Sequence, residues 1–67
     1  MRLFFEAYKR LKPEEETLGI PQQMLRIEIS TEDDAYMLKD KYKDTFDEFY
    51  IHYCYHDEGK PCKLKPI

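Results

Sequence analysis

The period of the apolar residues changes once, at Ser30–Thr31, and that change fixes the kind of fold available to this chain. Before it, Leu25, Ile27 and Ile29 alternate with Arg26 and Glu28, the period of two that predicts a half-buried strand over Gln23–Ser30. After it, Ala35, Leu38, Tyr42 and Phe46 step by three, four and four, one apolar stripe of a helix over Thr31–Phe49. Ser30 or Thr31 can cap that helix, with Asp33 or Asp34 at capping-box spacing. Glu32, Asp33 and Asp34 then complement the positive end of the helix dipole.

The flanks supply the remaining elements. Arg2–Leu11 places Leu3, Phe5 and Ala7 on one face of a strand and Phe4, Glu6 and Tyr8 on the other. A helical stripe of Leu3, Phe4, Ala7, Tyr8 and Leu11 also fits, but Phe4-Phe5 and the lack of room for a cap before position 2 favour the strand. Lys12–Pro21 is a connector, broken by Pro13, Gly19 and Pro21, with room for one helical turn at Glu14–Thr17.

An aromatic strand is expected over Tyr50–His56, then a loop of Asp57-Glu58-Gly59, then a short strand near Pro61–Pro66. A three-residue hairpin loop wants a left-handed third residue, where Gly59 stands. That loop pairs His52 with Leu64, Tyr53 with Lys63, Cys54 with Cys62, Tyr55 with Pro61 and His56 with Lys60. Pro61 then falls at a non-hydrogen-bonded pair, where no N–H is needed. The order is ββαββ, an α+β fold with one helix packed across a small, four-stranded, largely antiparallel sheet.

Sixty-seven residues hold a single domain, residues 1–67. A chain this short buries only about 60% of its unfolded surface, which leaves little room for a catalytic cleft. No run approaches the ~20 apolar residues that cross a bilayer, and Met1–Arg10 lacks the apolar stretch of a secretory signal. A cytoplasmic protein with no membrane association is therefore expected. Eleven Lys and Arg against fourteen Asp and Glu give −3, which argues against general coating of nucleic acid. Two cysteines, Cys54 and Cys62, are too few for a disulfide scaffold, and free thiols are expected.

The hairpin register separates two sheet faces. One carries His52, Cys54, Cys62 and Leu64, the other Ile51, Tyr53, Tyr55, Lys63 and Lys65. Free cysteine is commonly buried and unpaired lysine is not, so the cysteine face is expected against the helix. The uncovered face would then present Phe4, Tyr8, Met24, Ile51, Tyr53 and Tyr55 beside Arg2, Arg10, Arg26, Lys63 and Lys65. Exposed apolar patches on small proteins often bind partners, although Lys stems lying over Tyr rings stabilise sheets with no ligand at all.

His52, Cys54, His56 and Cys62 are all of zinc-ligating type. On a continuous strand, however, the two histidines lie about 13 Å apart, too far to share an ion easily, so no metal or other cofactor is expected. The acids Glu32, Asp33, Asp34, Asp40, Asp44, Asp47 and Glu48 lack a calcium loop and read as a solvated helix face. Gly19 and Gly59 are the only glycines, Ser30 is the only serine, and both thiols are expected inward. No phosphate loop or nucleophilic constellation remains, so no enzyme activity is expected.

These features point to a small non-catalytic protein-interaction module, a regulator or inhibitor of a larger protein. Phe4, Tyr8, Arg26, Tyr53, Tyr55 and Lys63 are its candidate partner-binding residues, with a protein partner or self-association expected. The alternative is single-stranded nucleic-acid binding, with bases stacked on an open aromatic and basic sheet face.

Overall fold

A computed structural model of the chain describes residues 1–19 and 23–67. Ile20 and Pro21 of the expected connector lie outside the described residues. The strands are β1 (Arg2–Tyr8), β2 (Met24–Ile29), β3 (Glu48–Cys54) and β4 (Lys63–Pro66). The helices are α1 (Pro13–Thr17) and α2 (Glu32–Tyr42), with a 3-10 turn at His56–Glu58. The strands form one antiparallel open sheet in the order β2-β1-β3-β4. β2 and β3 therefore run the same way on either side of β1, and α2 crosses between them as a split β-α-β unit. Among the described residues no helix is long and apolar enough to cross a membrane.

The α+β expectation holds in element type and order. Arg2–Tyr8 is a strand, and it takes the centre of the sheet because its core face offers Leu3, Phe5 and Ala7, all buried. Pro13 opens the short helical turn, with its fixed φ suited to a first helical position. Thr31 caps α2: its Oγ1 accepts the Asp34 amide at 3.4 Å. The Asp34 carboxylate returns to the amides of Thr31, at 3.1 Å, and Ser30, at 3.2 Å. Four N–H and carboxylate groups are thus satisfied at the helix start by residues that local spacing had singled out.

Helix α2 is shorter than its apolar stripe implies. It ends at Tyr42, and the amides of Thr45 and Phe46 both turn back to the Tyr42 carbonyl. Two anchors then hold the chain against the end of β1. The Asp47 amide donates to the Tyr8 carbonyl at 3.0 Å, and the Arg10 amide donates to Asp47 Oδ2 at 2.8 Å. β3 consequently begins at Glu48 and takes in Phe49, which the sequence pattern had assigned to the helix. The stripe itself is used as expected: Ala35 is fully buried, and Leu38, Tyr42 and Phe46 pack on the core.

The hairpin register is also as expected where the ladder runs, with His52 opposite Leu64 and Tyr53 opposite Lys63. Gly59 has φ 69°, the left-handed conformation the turn requires. The assignment of faces, however, is inverted in β3. Phe5 pairs with Ile51, Ala7 with Phe49 and Leu3 with Tyr53, and cross-strand partners share a face. Phe49, Ile51 and Tyr53 therefore point toward α2, and Tyr50, His52 and Cys54 toward the open side.

The physical reason is the Phe49–Ile51 pair. Phe5 and Ile51 are fully buried and Phe49 nearly so, and burying two such side chains is worth roughly 1.5–3 kcal/mol each, more than a thiol offers. The lysines set no obstacle. α2 lies over β2, β1 and β3, while all four residues of the edge strand β4 remain exposed.

Candidate functional site

The side of the sheet away from α2 carries Arg2, Phe4, Glu6 and Tyr8 of β1 and Met24, Arg26 and Glu28 of β2. From β3 and β4 it takes Tyr50, His52, Cys54, Leu64 and Pro66. At its centre is Glu6, a carboxylate with 4% exposure in the middle of an apolar strand. It accepts hydrogen bonds from the Tyr8 hydroxyl and from His52 Nδ1, and Arg26 Nε stands 3.7 Å away. Burial pushes the Glu6 carboxyl up, but the bonds from Tyr8 and His52 and the charges of His52 and Arg26 outweigh it. Its pKa lies below the ordinary value. The same bond, helped by burial, pushes the Tyr8 phenol up to about 12.

Aromatic groups are ordered around this centre. Phe4 lies between two guanidinium groups, with Arg26 Cζ 4.3 Å and Arg2 Cζ 5.1 Å from its ring. It also meets His52 edge-on at 5.8 Å. Arg2 is held in turn by Glu28 through bonds of 2.9 and 3.1 Å. Toward the far end, Tyr8 and Tyr50 make an edge-to-face pair at 5.7 Å. Together with Glu48 and Leu64 they line a hollow of about 280 Å³. Leu64 and Met24 are about half exposed on this face.

The opposite end holds a cluster of sulfur and imidazole. Cys54, buried, and Cys62, partly buried, stand here as free thiols. Ligating atoms of His52, Cys54 and Cys62 lie within 4.8 Å of one another. His56 presents Nδ1 at 3.2 Å to Cys54 Sγ and Nε2 at 3.4 Å to Cys62 Sγ. The separation expected between the histidines assumed a strand running through His56. β3 instead stops at Cys54; Tyr55 leaves the extended region (φ −110°, ψ 20°), and the 3-10 turn curls His56 back onto the sulfurs. Among the described residues His52, Cys54 and Cys62 are the set that could hold a metal ion, with His56 beside both sulfurs.

The six residues expected to bind a partner do not stay together. Phe4, Tyr8 and Arg26 share the open face. Tyr53 lies on the other side, packed on the core, its hydroxyl donating to Glu32 Oε1 at 2.9 Å. Lys63, opposite Tyr53, shares that side. Tyr55 is not in the sheet but at the start of the 3-10 turn. Tyr50, His52, Cys54 and Leu64 take their places, all following from the inverted face of β3. Glu6 had a legible signal of its own, an acid between Phe5 and Ala7 in a central strand. Comparison of the chain with protein-family models, with curated proteins and with solved structures finds no match, so the site is read from its own geometry.

Proposed function

We propose that this chain is a small non-catalytic protein-interaction module, a cytoplasmic regulator or inhibitor that docks its open sheet face on a larger protein. The observation that supports this most is the Tyr8–Tyr50 edge-to-face pair beside Leu64, on the sheet face opposite α2 that no helix among the described residues covers. Tyr8 is tied to Glu6, so the pair is ordered before any partner arrives, and docking on it costs little side-chain entropy. The hollow suits an apolar side chain of the partner, and Glu48 at its rim suits a basic group beside it.

Charge separates this reading from single-stranded nucleic-acid binding. The arginines of the open face are answered there by Glu28 and Glu6, and Lys63 and Lys65 stand on the other side of the sheet. The face thus offers aromatic rings without a surplus of cations to meet phosphates.

The test begins with amide NMR titration against pools of short single-stranded RNA and DNA, where a silent spectrum is expected. Affinity capture from the source cell follows, comparing the native chain with Tyr50→Ser and Leu64→Ser. Loss of a specific protein with either variant, at unchanged amide dispersion, supports the reading. Shifts around Tyr8, Tyr50 and Leu64 on adding nucleic acid, weakening as salt rises, would transfer the face to the alternative. Sedimentation that depends on concentration and is lost in Tyr50→Ser would identify the partner as a second copy.

A further inference from the structure

We infer that His52, Cys54, His56 and Cys62 form a tetrahedral zinc site that fastens β4 to the sheet. Two cysteines and two histidines are the donor set of a closed structural zinc site, and mixed sulfur and nitrogen donors select zinc among the common divalent ions. In such a site zinc stands about 2.3 Å from sulfur and 2.0–2.1 Å from nitrogen, so neighbouring donors lie roughly 3.3–3.8 Å apart. His52, Cys54 and Cys62 converge within 4.8 Å. His56 lies edge-on to the two sulfurs, Nδ1 at 3.2 Å from Cys54 and Nε2 at 3.4 Å from Cys62, so its ring turns to bring one nitrogen onto the ion as the fourth ligand.

The second observation is independent of the cysteines. His52 Nδ1 is committed to the Glu6 carboxylate, and its Nε2 is buried with no hydrogen-bond partner among the described residues. An orphaned buried nitrogen is costly unless something occupies it. A histidine that gives one nitrogen to a carboxylate and keeps the other as a free donor is the arrangement of metal-bound imidazoles. The carboxylate there fixes the tautomer and raises ligand basicity. Glu6 is buried and hydrogen-bonded on both sides, so the ring it orients is held before an ion binds.

Zinc would enter as both thiols lose their protons to solvent, with each imidazole supplying one neutral nitrogen. His56 then keeps one of its two sulfur-facing nitrogens for the ion. The benefit falls on the C-terminal strand: β4 has four residues, all exposed, and is joined to β3 through the turn that carries His56. An ion held by β3, the turn and Cys62 closes that segment, and binding to the folded state alone stabilises it.

The test uses the full chain, reduced and metal-free, titrated with cobalt(II) and then zinc. Expected are the intense visible bands of tetrahedral cobalt with thiolate charge transfer in the near ultraviolet. Zinc should abolish both, one ion per chain should appear in native mass spectra, and the Lys63–Pro66 amides should gain protection. Cys62→Ser, at a partly buried position outside the core, removes one of the two sulfur ligands without touching the fold and should roughly halve the charge-transfer band and weaken binding. Glu6→Gln should weaken zinc by about 10–100-fold while the band persists. Absence of cobalt bands and of retained zinc in the reduced native chain overturns the site, as does Cys62→Ser binding zinc as tightly as the native chain. That spectrum is recorded on the native chain, so an unfolded variant cannot mask the outcome.

Discussion

His52 Nδ1 donates to the carboxylate of Glu6 across the β1–β3 ladder, two residues removed from direct pairing, since Glu6 is opposite Tyr50 and His52 opposite Phe4. This diagonal contact is the hinge of the open face. It offsets the cost of burying an acid, sets the tautomer of a histidine, and through the second carboxylate oxygen holds Tyr8.

Replacing Glu6 with Ala leaves the Tyr8 hydroxyl and His52 Nδ1 without their acceptor. A loss of about 1–3 kcal/mol in unfolding free energy is expected from urea denaturation. Glu6→Gln keeps an acceptor oxygen and should lose less. Equal stability of Glu6→Ala and the native chain would dissolve the network.

The Tyr8 phenol carries a pH signature. Its pKa in the folded chain is about 12, above the 10.0 of an unfolded tyrosine, so the protonated form is the one the fold favours. The stability it contributes is complete below pH 10 and is lost as pH rises from 10 to 12. Tyr8→Phe should therefore be less stable than the native chain at pH 8, with the gap closing through that window. A gap that widens with alkali would contradict the bond to Glu6.

The inverted face of β3 is open to a simple comparison. Ile51→Ala should cost about 2–5 kcal/mol, because Ile51 is fully buried against Phe5. Leu64→Ala, on the exposed edge strand, should change stability by no more than about 0.5 kcal/mol. Equal effects at the two positions would return the cysteine face to the core.

Gly59 has φ 69° with open space where a Cβ would stand. Gly59→Ala should therefore destabilise through backbone strain alone, by roughly 1–2 kcal/mol, and Gly59→Asn by less. Calorimetric melting of the three proteins checks the order.

What the sequence determined by itself is local. The period of two in Leu25–Ile29, the cap formed by Thr31 and Asp34, the helical stripe from Ala35 to Phe46 and the Tyr53–Lys63 register all follow from residues close in the chain. The forces involved (alternation, capping bonds, the conformational freedom of Gly59) act over a few residues. Which face of β3 turns inward was decided by its pairing with β1, some 45 residues earlier in the chain. A one-residue change of phase moves every side chain to the other side, so an error of two residues in where β3 begins concealed Phe49 and, with it, the stripe that fixes the phase. The same non-local pairing put His52 against Glu6. The stop of β3 at Cys54 brought His56 to the sulfurs, a convergence that no spacing along an extended strand could reveal.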